Sequence, residues 1–226
     1  MGTVAGAERA AMRVLRVFPQ RTTFTPTDAL SFVGDPPLLR PEADVVRVSC
    51  AFTWDITETM RLVEAWKQHY SLVRYGGPAF GDPGGGFEPG MFVKPGVVHT
   101  SRGCPNRCSF CLVPVREGPL RLLPIREGYI LSDNNILACP TNHRLAVWQM
   151  LGKQRRYAVL SGGLQASLVT DEIADELRGL RLDSVFLAAD SEGALKPLAT
   201  AIKRLSFLPR RKLRCYVLCA YDGETI

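Results

Sequence analysis

With 226 residues, 46% of them hydrophobic and 22% charged, the chain can form one large domain or two small ones, and its composition is ordinary for a globular protein, so disorder is not the default. The formal net charge of +6 favours an anionic partner, such as nucleic acid or a phosphorylated metabolite, through long-range attraction. No apolar run approaches the ~20 residues needed to span a bilayer, and the N-terminal MGTVAGAERAAMRVLRVF has no continuous apolar stretch with a cleavage site. A cytoplasmic protein that does not enter a membrane is expected.

Residues 1–43 read as an irregular N-terminal arm, because Pro19, Pro26, Pro36, Pro37 and Pro41 interrupt any long periodicity. The run VVRVS at 45–49 then predicts a strand. Ile56, Met60, Val63 and Trp66 recur at helical spacing, and LVRYGG predicts a second strand, which together make a β-α-β unit. Residues 76–95 hold seven glycines and four prolines and mark a loop and a boundary. That loop has no Gly-Lys-Ser/Thr ending and no helix directly after it, so a phosphate cradle is not expected.

From 96 onward the pattern alternates between strand and helix, predicting a parallel sheet with covering helices. The predicted strands are GVVHT (96–100), GYILSDN (128–134), YAVLSG (157–162), SVFLAAD (184–190) and LRCYVLCA (213–220). Apolar stripes mark the helices between them: Leu145, Trp148 and Leu151; Ile173, Leu177 and Leu180; Leu195, Leu198, Ile202 and Leu205. Thr170 is placed to cap the second, with Asp171 and Glu172 at the positive end of its dipole. The last strand is followed only by YDGETI, so the core at 96–226 is expected to stop before its sheet is covered. The predicted organisation is an arm (1–43), a shortened α/β segment with its Gly/Pro loop (44–95) and an α/β core (96–226).

The seven cysteines are unevenly distributed, three of them falling within eight residues, which argues for metal or redox chemistry instead of a secreted disulfide framework. Cys50, Cys139, Cys215 and Cys219 lie in apolar sequence and are expected to be buried small side chains. Cys104, Cys108 and Cys111 form a C-x3-C-x2-C array just beyond a predicted strand, where a loop can turn three thiolates toward one iron-sulfur cluster. Three ligands leave one iron of a [4Fe-4S] cluster open. Zinc is the competing metal, with Cys139 or His99 as fourth ligand, although zinc ligands usually come as two short pairs and no second pair lies at a suitable distance. Two basic groups accompany the array: Arg102, Arg107, Arg116, Arg121 and Arg126 around the cysteines, and Arg210, Arg211, Lys212 and Arg214 further on. Each can be a solvated surface or an anion site.

The cysteine spacing, with Phe110 immediately before the third cysteine, resembles the radical S-adenosylmethionine superfamily. The order RGCPNRCSFC, SDNN, AADSE and DGET is similar to the radical core of its cobalamin-type and methylthiotransferase-type members. The resemblance implies a partial parallel β/α barrel with the cluster at the carboxyl ends of the strands. It also implies an open iron chelated by the methionine end of S-adenosylmethionine, with Phe110 near the adenine. Asp133 and Asn134 fall where the family contacts the methionine amino group, Glu192 where a strand-end acid binds the cofactor, and Ser161 and Gly162 in another strand-end turn. In a different register LSGGL matches the family's Gly-Gly-Glu motif, but Leu164 then stands in place of the acid, with Gln165 following. For Glu192 a second reading is a helix N-terminal acid held by the dipole.

The segment at 44–77 is similar to the later part of the α/β domain preceding the radical core in cobalamin-dependent members, but it has no Asp-x-His-x-x-Gly run to ligate cobalt. Cobalamin is therefore not expected. By the resemblance, a low-potential reductant such as flavodoxin supplies an electron, and cleavage of S-adenosylmethionine yields a 5′-deoxyadenosyl radical that abstracts a substrate hydrogen. The basic residues make a nucleotide or RNA slightly more attractive than a peptide as substrate, and both stay open. The alternative function is a non-catalytic iron-sulfur or zinc protein that interacts with nucleic acid. His99 is expected to be a hydrogen-bonded structural histidine, and Trp54 and Trp148 core or loop anchors.

Overall fold

The computed structural model describes residues 12–82 and 86–218, and the chain divides after Asp82 into two compact units. The division lies inside the Gly/Pro-rich loop. Both units are α/β with parallel sheets.

The first unit has four strands: β1 (Val14–Phe18), β2 (Ser31–Val33), β3 (Val45–Ser49) and β4 (Val73–Gly76), in the order β2-β1-β3-β4, all parallel. Part of the expected irregular arm is thus a strand inside the sheet, with Leu15 and Val17 fully buried. Helix α1 (Ile56–Lys67) connects β3 to β4 and covers one face. Leu15, Val17, Val46 and Val48, alternating along their strands, pack with Leu62, Val63 and Trp66 of α1 in one core. The buried stripe of α1 is Thr59, Leu62, Val63 and Trp66, so the predicted stripe is turned by about one position and Met60 is left exposed. Long connections stand in for helices elsewhere. They are tied down by Trp66 Nε1 donating to Gly34 O at 3.0 Å and Tyr70 Oη donating to Pro41 O at 2.7 Å.

The second unit contains β5 (Val97–Val98), β6 (Ser101–Arg102), α2 (Val113–Arg116), β7 (Arg121–Leu122), β8 (Ile130–Leu131), α3 (Thr141–Lys153), β9 (Ala158–Gln165), α4 (Asp171–Arg178), β10 (Leu182–Ala188), α5 (Leu195–Arg204) and β11 (Leu213–Tyr216). Its main sheet runs β5-β8-β9-β10-β11, entirely parallel, so spatial order follows chain order. Crossovers between parallel strands are almost always right-handed, so stepping steadily in one direction puts α3, α4 and α5 on one face. That face carries the row Val98, Leu131, Leu160 and Val185, which packs with Val147, Trp148, Leu151, Ile173, Leu177 and Leu205. Thr170 caps α4 as predicted, accepting from Ile173 N–H at 3.2 Å. Leu145, Leu195 and Ile202, expected in apolar stripes, are exposed. Cys50 and Cys139 are buried as predicted, whereas Cys215 is exposed on the edge strand β11. Cys219 and the DGET run at 222–225 lie outside the described residues. Among the described residues no helix is long and apolar enough to cross a membrane.

Candidate functional site

The cysteine loop leaves the carboxyl end of the first strand of the second sheet and is closed at its base by a short ladder. β6 and β7 pair antiparallel, Ser101 opposite Leu122 and Arg102 opposite Arg121, so residues 103–120 form one excursion. Gly103 makes the closure possible. Its φ of +77° suits glycine alone, and a side chain there would run into Pro119 O. Beneath it lies Glu117, only 6% exposed, which accepts from Gly103 N–H at 3.3 Å and pairs with Arg116 at 3.1 Å. Arg121 donates to Glu117 O at 2.5 Å, and Arg102 stands 3.8 Å from the carboxylate. Part of the arginine group noted in the sequence thus holds the loop together.

Cys104 and Cys111 are half-buried, Cys108 is exposed, and all three are free thiols. They lie in each other's fields: partial burial raises the Cys108 thiol, and Cys111 and Cys104 push it further up. Cys111 N–H bonds Cys108 O at 3.0 Å, which makes a turn of the stretch between them. Three thiols are donors that suit an iron-sulfur cluster or zinc. Among the described residues, however, no group of three or more His, Cys, Asp or Glu side chains is arranged around a common metal position, so the loop would have to turn its sulfurs inward to close a ligand set.

The first and middle parts of the loop are tethered by amides that the sequence reading did not single out as a group. Gln165 Oε1, at the end of β9, accepts from Asn106 Nδ2 and from Asn135 Nδ2, both at 2.8 Å. Asn135 Nδ2 also lies 3.7 Å from Cys104 Sγ as a donor, and Gln165 Nε2 donates to Ser167 Oγ at 2.9 Å. In the Gly-Gly motif itself, Leu164 is buried in the core and the next residue, Gln165, reaches the loop. The signal was available, since strand-end positions of a parallel sheet are where side chains meet such a loop.

Of the other expected site residues, Asp133 is 2% exposed and its carboxylate is already engaged. It accepts from Thr100 N–H at 2.6 Å, Thr100 Oγ1 at 2.6 Å and Ser101 Oγ at 2.7 Å. Burial pushes its carboxyl up, against the pull of these bonds. Asp133 is thus a buried anchor that joins the end of β8 to the start of the cysteine excursion. Beside it, Asn134 Oδ1 is buried with no hydrogen-bond partner. Gly162 presses against the Asp133 backbone so closely that a side chain would overlap Asp133 O. With Leu131, Ile136, Leu160, Gly163 and Leu164, these two residues line a narrow slit. Ser161 Oγ donates to Leu131 O at 3.0 Å, Phe110 is half-buried, and Glu192 is exposed in the first turn of a 3-10 segment before α5.

Neither proposed fourth zinc ligand joins the cysteines. His99 Nδ1 is 2.7 Å from Ser132 O and its ring lies edge-on to Phe87, with centroids 4.8 Å apart. Burial first, then the nearby Arg102 charge, lowers its pKa to about 4. Cys139 is buried, with Sγ facing Asn135 O. Trp148 is the expected anchor, donating to Glu176 at 2.8 Å, but Trp54 is 72% exposed and stacks on Phe52. Compared with known proteins, the chain matches no protein-family model and no curated relative.

Proposed function

We propose that the chain is a radical S-adenosylmethionine enzyme with a [4Fe-4S] cluster on Cys104, Cys108 and Cys111. The observation carrying this reading is three free thiols on one tethered loop at the carboxyl ends of a parallel sheet whose strands follow chain order, the strand order of an arc of β/α barrel. When bound, the cluster supplies one electron that breaks a carbon-sulfur bond of S-adenosylmethionine, giving methionine and a 5′-deoxyadenosyl radical. The chain's own residues position and shield that chemistry.

Asn135, held by Gln165, donates toward Cys104 Sγ, the kind of outer-shell hydrogen bond that tunes an iron-sulfur site. Glu117 and its arginines keep the base of the loop closed. Asn134 Oδ1 and Asn135 Oδ1, both buried with no hydrogen-bond partner, add acceptor capacity for a cofactor ammonium beside Asp133. Phe110 is assigned to the adenine and Gly162 to the strand-end turn on the resemblance. A low-potential flavodoxin-like protein is the assigned reductant, and a nucleotide or RNA the assigned substrate class.

Anaerobic reconstitution with iron and sulfide tests this directly. The expected product is brown, contains about four irons per chain and forms 5′-deoxyadenosine from S-adenosylmethionine under reduction. Cys108→Ala should lose the chromophore and the iron, whereas Cys139→Ala should keep both. A colourless, zinc-loaded protein would overturn the assignment.

A further inference from the structure

The parallel register of the second sheet gathers, at its amino edge, basic residues that are far apart in sequence. Lys153, Arg155 and Arg156 precede β9, Arg181 precedes β10, and Arg210, Arg211 and Lys212 precede β11. Adjacent strands lie about 4.8 Å apart, so these segments make one rim. Direct contacts connect them. Arg181 donates to Gln154 O and Lys212 donates to Leu182 O at 2.5 Å. The Arg181 guanidinium and the Lys212 ammonium lie 5.8 Å and 5.3 Å from the centre of the Tyr157 ring. Arg156 donates to Tyr129 Oη at 2.8 Å and sits 5.0 Å from that ring.

The charge on this rim is not compensated. Arg156, Arg181 and Lys212 contact carbonyls, a phenol and aromatic faces, and among the described residues none of the seven cations forms an ion pair. Within residues 153–157, 181–183 and 210–213 the acid is Asp183. Of 28 basic and 22 acidic residues in the chain, seven and one lie here, so the rim carries a charge equal to the whole net +6 and the rest of the chain is balanced. Solvated surface cations are usually interspersed with acids; seven cations against the single Asp183, with Tyr157 about half exposed, is a different arrangement.

We infer that this rim binds a single-stranded nucleic acid, the cations tracking successive phosphates and Tyr157 offering a ring for a base to stack on. A nucleic acid fits better than an anionic membrane, because the large apolar side chain the rim exposes is the aromatic Tyr157. The surface sits at the opposite end of the strands from the cysteine loop, roughly 20 Å away along a seven-residue strand, and needs no metal. It therefore goes beyond the proposed chemistry and stands or falls separately from it.

The test is fluorescence anisotropy of the full chain with a short labelled single-stranded RNA over a range of salt, with and without reconstituted iron. Binding is expected in both preparations and should weaken steeply with salt. The triple variant Lys153→Glu, Arg155→Glu, Arg211→Glu should lose at least tenfold in affinity and flatten the slope of log K against log salt by about two, near 0.7 per lost phosphate contact. Tyr157→Ala should lose about fivefold or more at unchanged slope. A charge-matched control, Arg74→Glu, Lys196→Glu, Lys203→Glu, should bind like the parent. Equal loss in both triple variants would reduce the effect to bulk charge and overturn the inference. So would binding to phosphatidylserine vesicles without binding to RNA, or no RNA binding at low salt.

Discussion

His99 shows how a single buried ring gives the molecule a pH response. Its folded pKa of about 4 lies below the ~6.5 of an unfolded histidine, so between those values the unfolded chain takes up a proton that the folded chain refuses. Its contribution is complete above pH ~6.5 and is lost as the pH falls toward 4, up to about 3 kcal/mol in total. Urea unfolding at pH 7 and pH 4.5 should show a drop that His99→Gln largely removes; an equal drop in the variant would place the sensitivity elsewhere. Asp133→Ala strands three donors in a buried corner and should cost about 3 kcal/mol by the same assay, while Asp133→Asn, which keeps the shape, should cost less. At this scale the sequence displays its candidate cysteines well, because thiol spacing is itself the signal. It hides the amides that tether them, because Asn106, Asn135 and Gln165 meet only once three segments are folded. The bonds that anchor Asp133 are hidden for a related reason, since its partners Thr100 and Ser101 lie 33 and 32 residues away.

Between elements, the joint between α3 and α4 is made by a nearly buried ion pair. Arg144 donates to both carboxylate oxygens of Glu176, at 2.9 and 2.8 Å, and Trp148 donates to the same group. The guanidinium, with Trp148, holds the Glu176 carboxyl below its usual range. Arg144→Met leaves that carboxylate largely out of water without its cation and should cost about 3 kcal/mol, whereas Arg144→Met with Glu176→Leu should recover much of it. A double variant as unstable as the single one would mean that the pair matters for packing more than for charge. Strands and helices after residue 96 were legible because alternation and 3.6-residue stripes are local patterns. β1 was not. Five residues interrupted by Arg16 and closed by Pro19 show no period, and the strand exists because β2 and β3 pair on either side of it while Arg16 pairs with Asp28. The stripe of α1 was misread by one position because Met60 and Leu62 are equally apolar in sequence and only the sheet decides which is covered.

For the whole molecule, two separate clusters of buried side chains fill the two units, one around Trp66 and one around Trp148 and the β8-β9-β10 sheet. Trp66→Ala should empty the first at about 3–5 kcal/mol and lower the melting of that unit, while iron uptake after reconstitution stays at the parent level. Lost iron uptake in that variant would show that the cysteine loop depends on the first core. The expected barrel stands as a reading of strand order, since sequence periodicity predicts that strands are parallel but not how far a sheet curves. The sequential order of the second sheet also has a consequence during synthesis. Each new strand can be laid beside the one just made, but Asn106 and its tether Gln165 are 59 residues apart. At ~5–20 residues per second that is about 3–12 s of translation. For the last 54 residues of that stretch, from Cys111 to Gln165, the three thiols are already made while the side chain that fastens their loop is not, so the nascent loop meets metal or oxidant before its anchor exists.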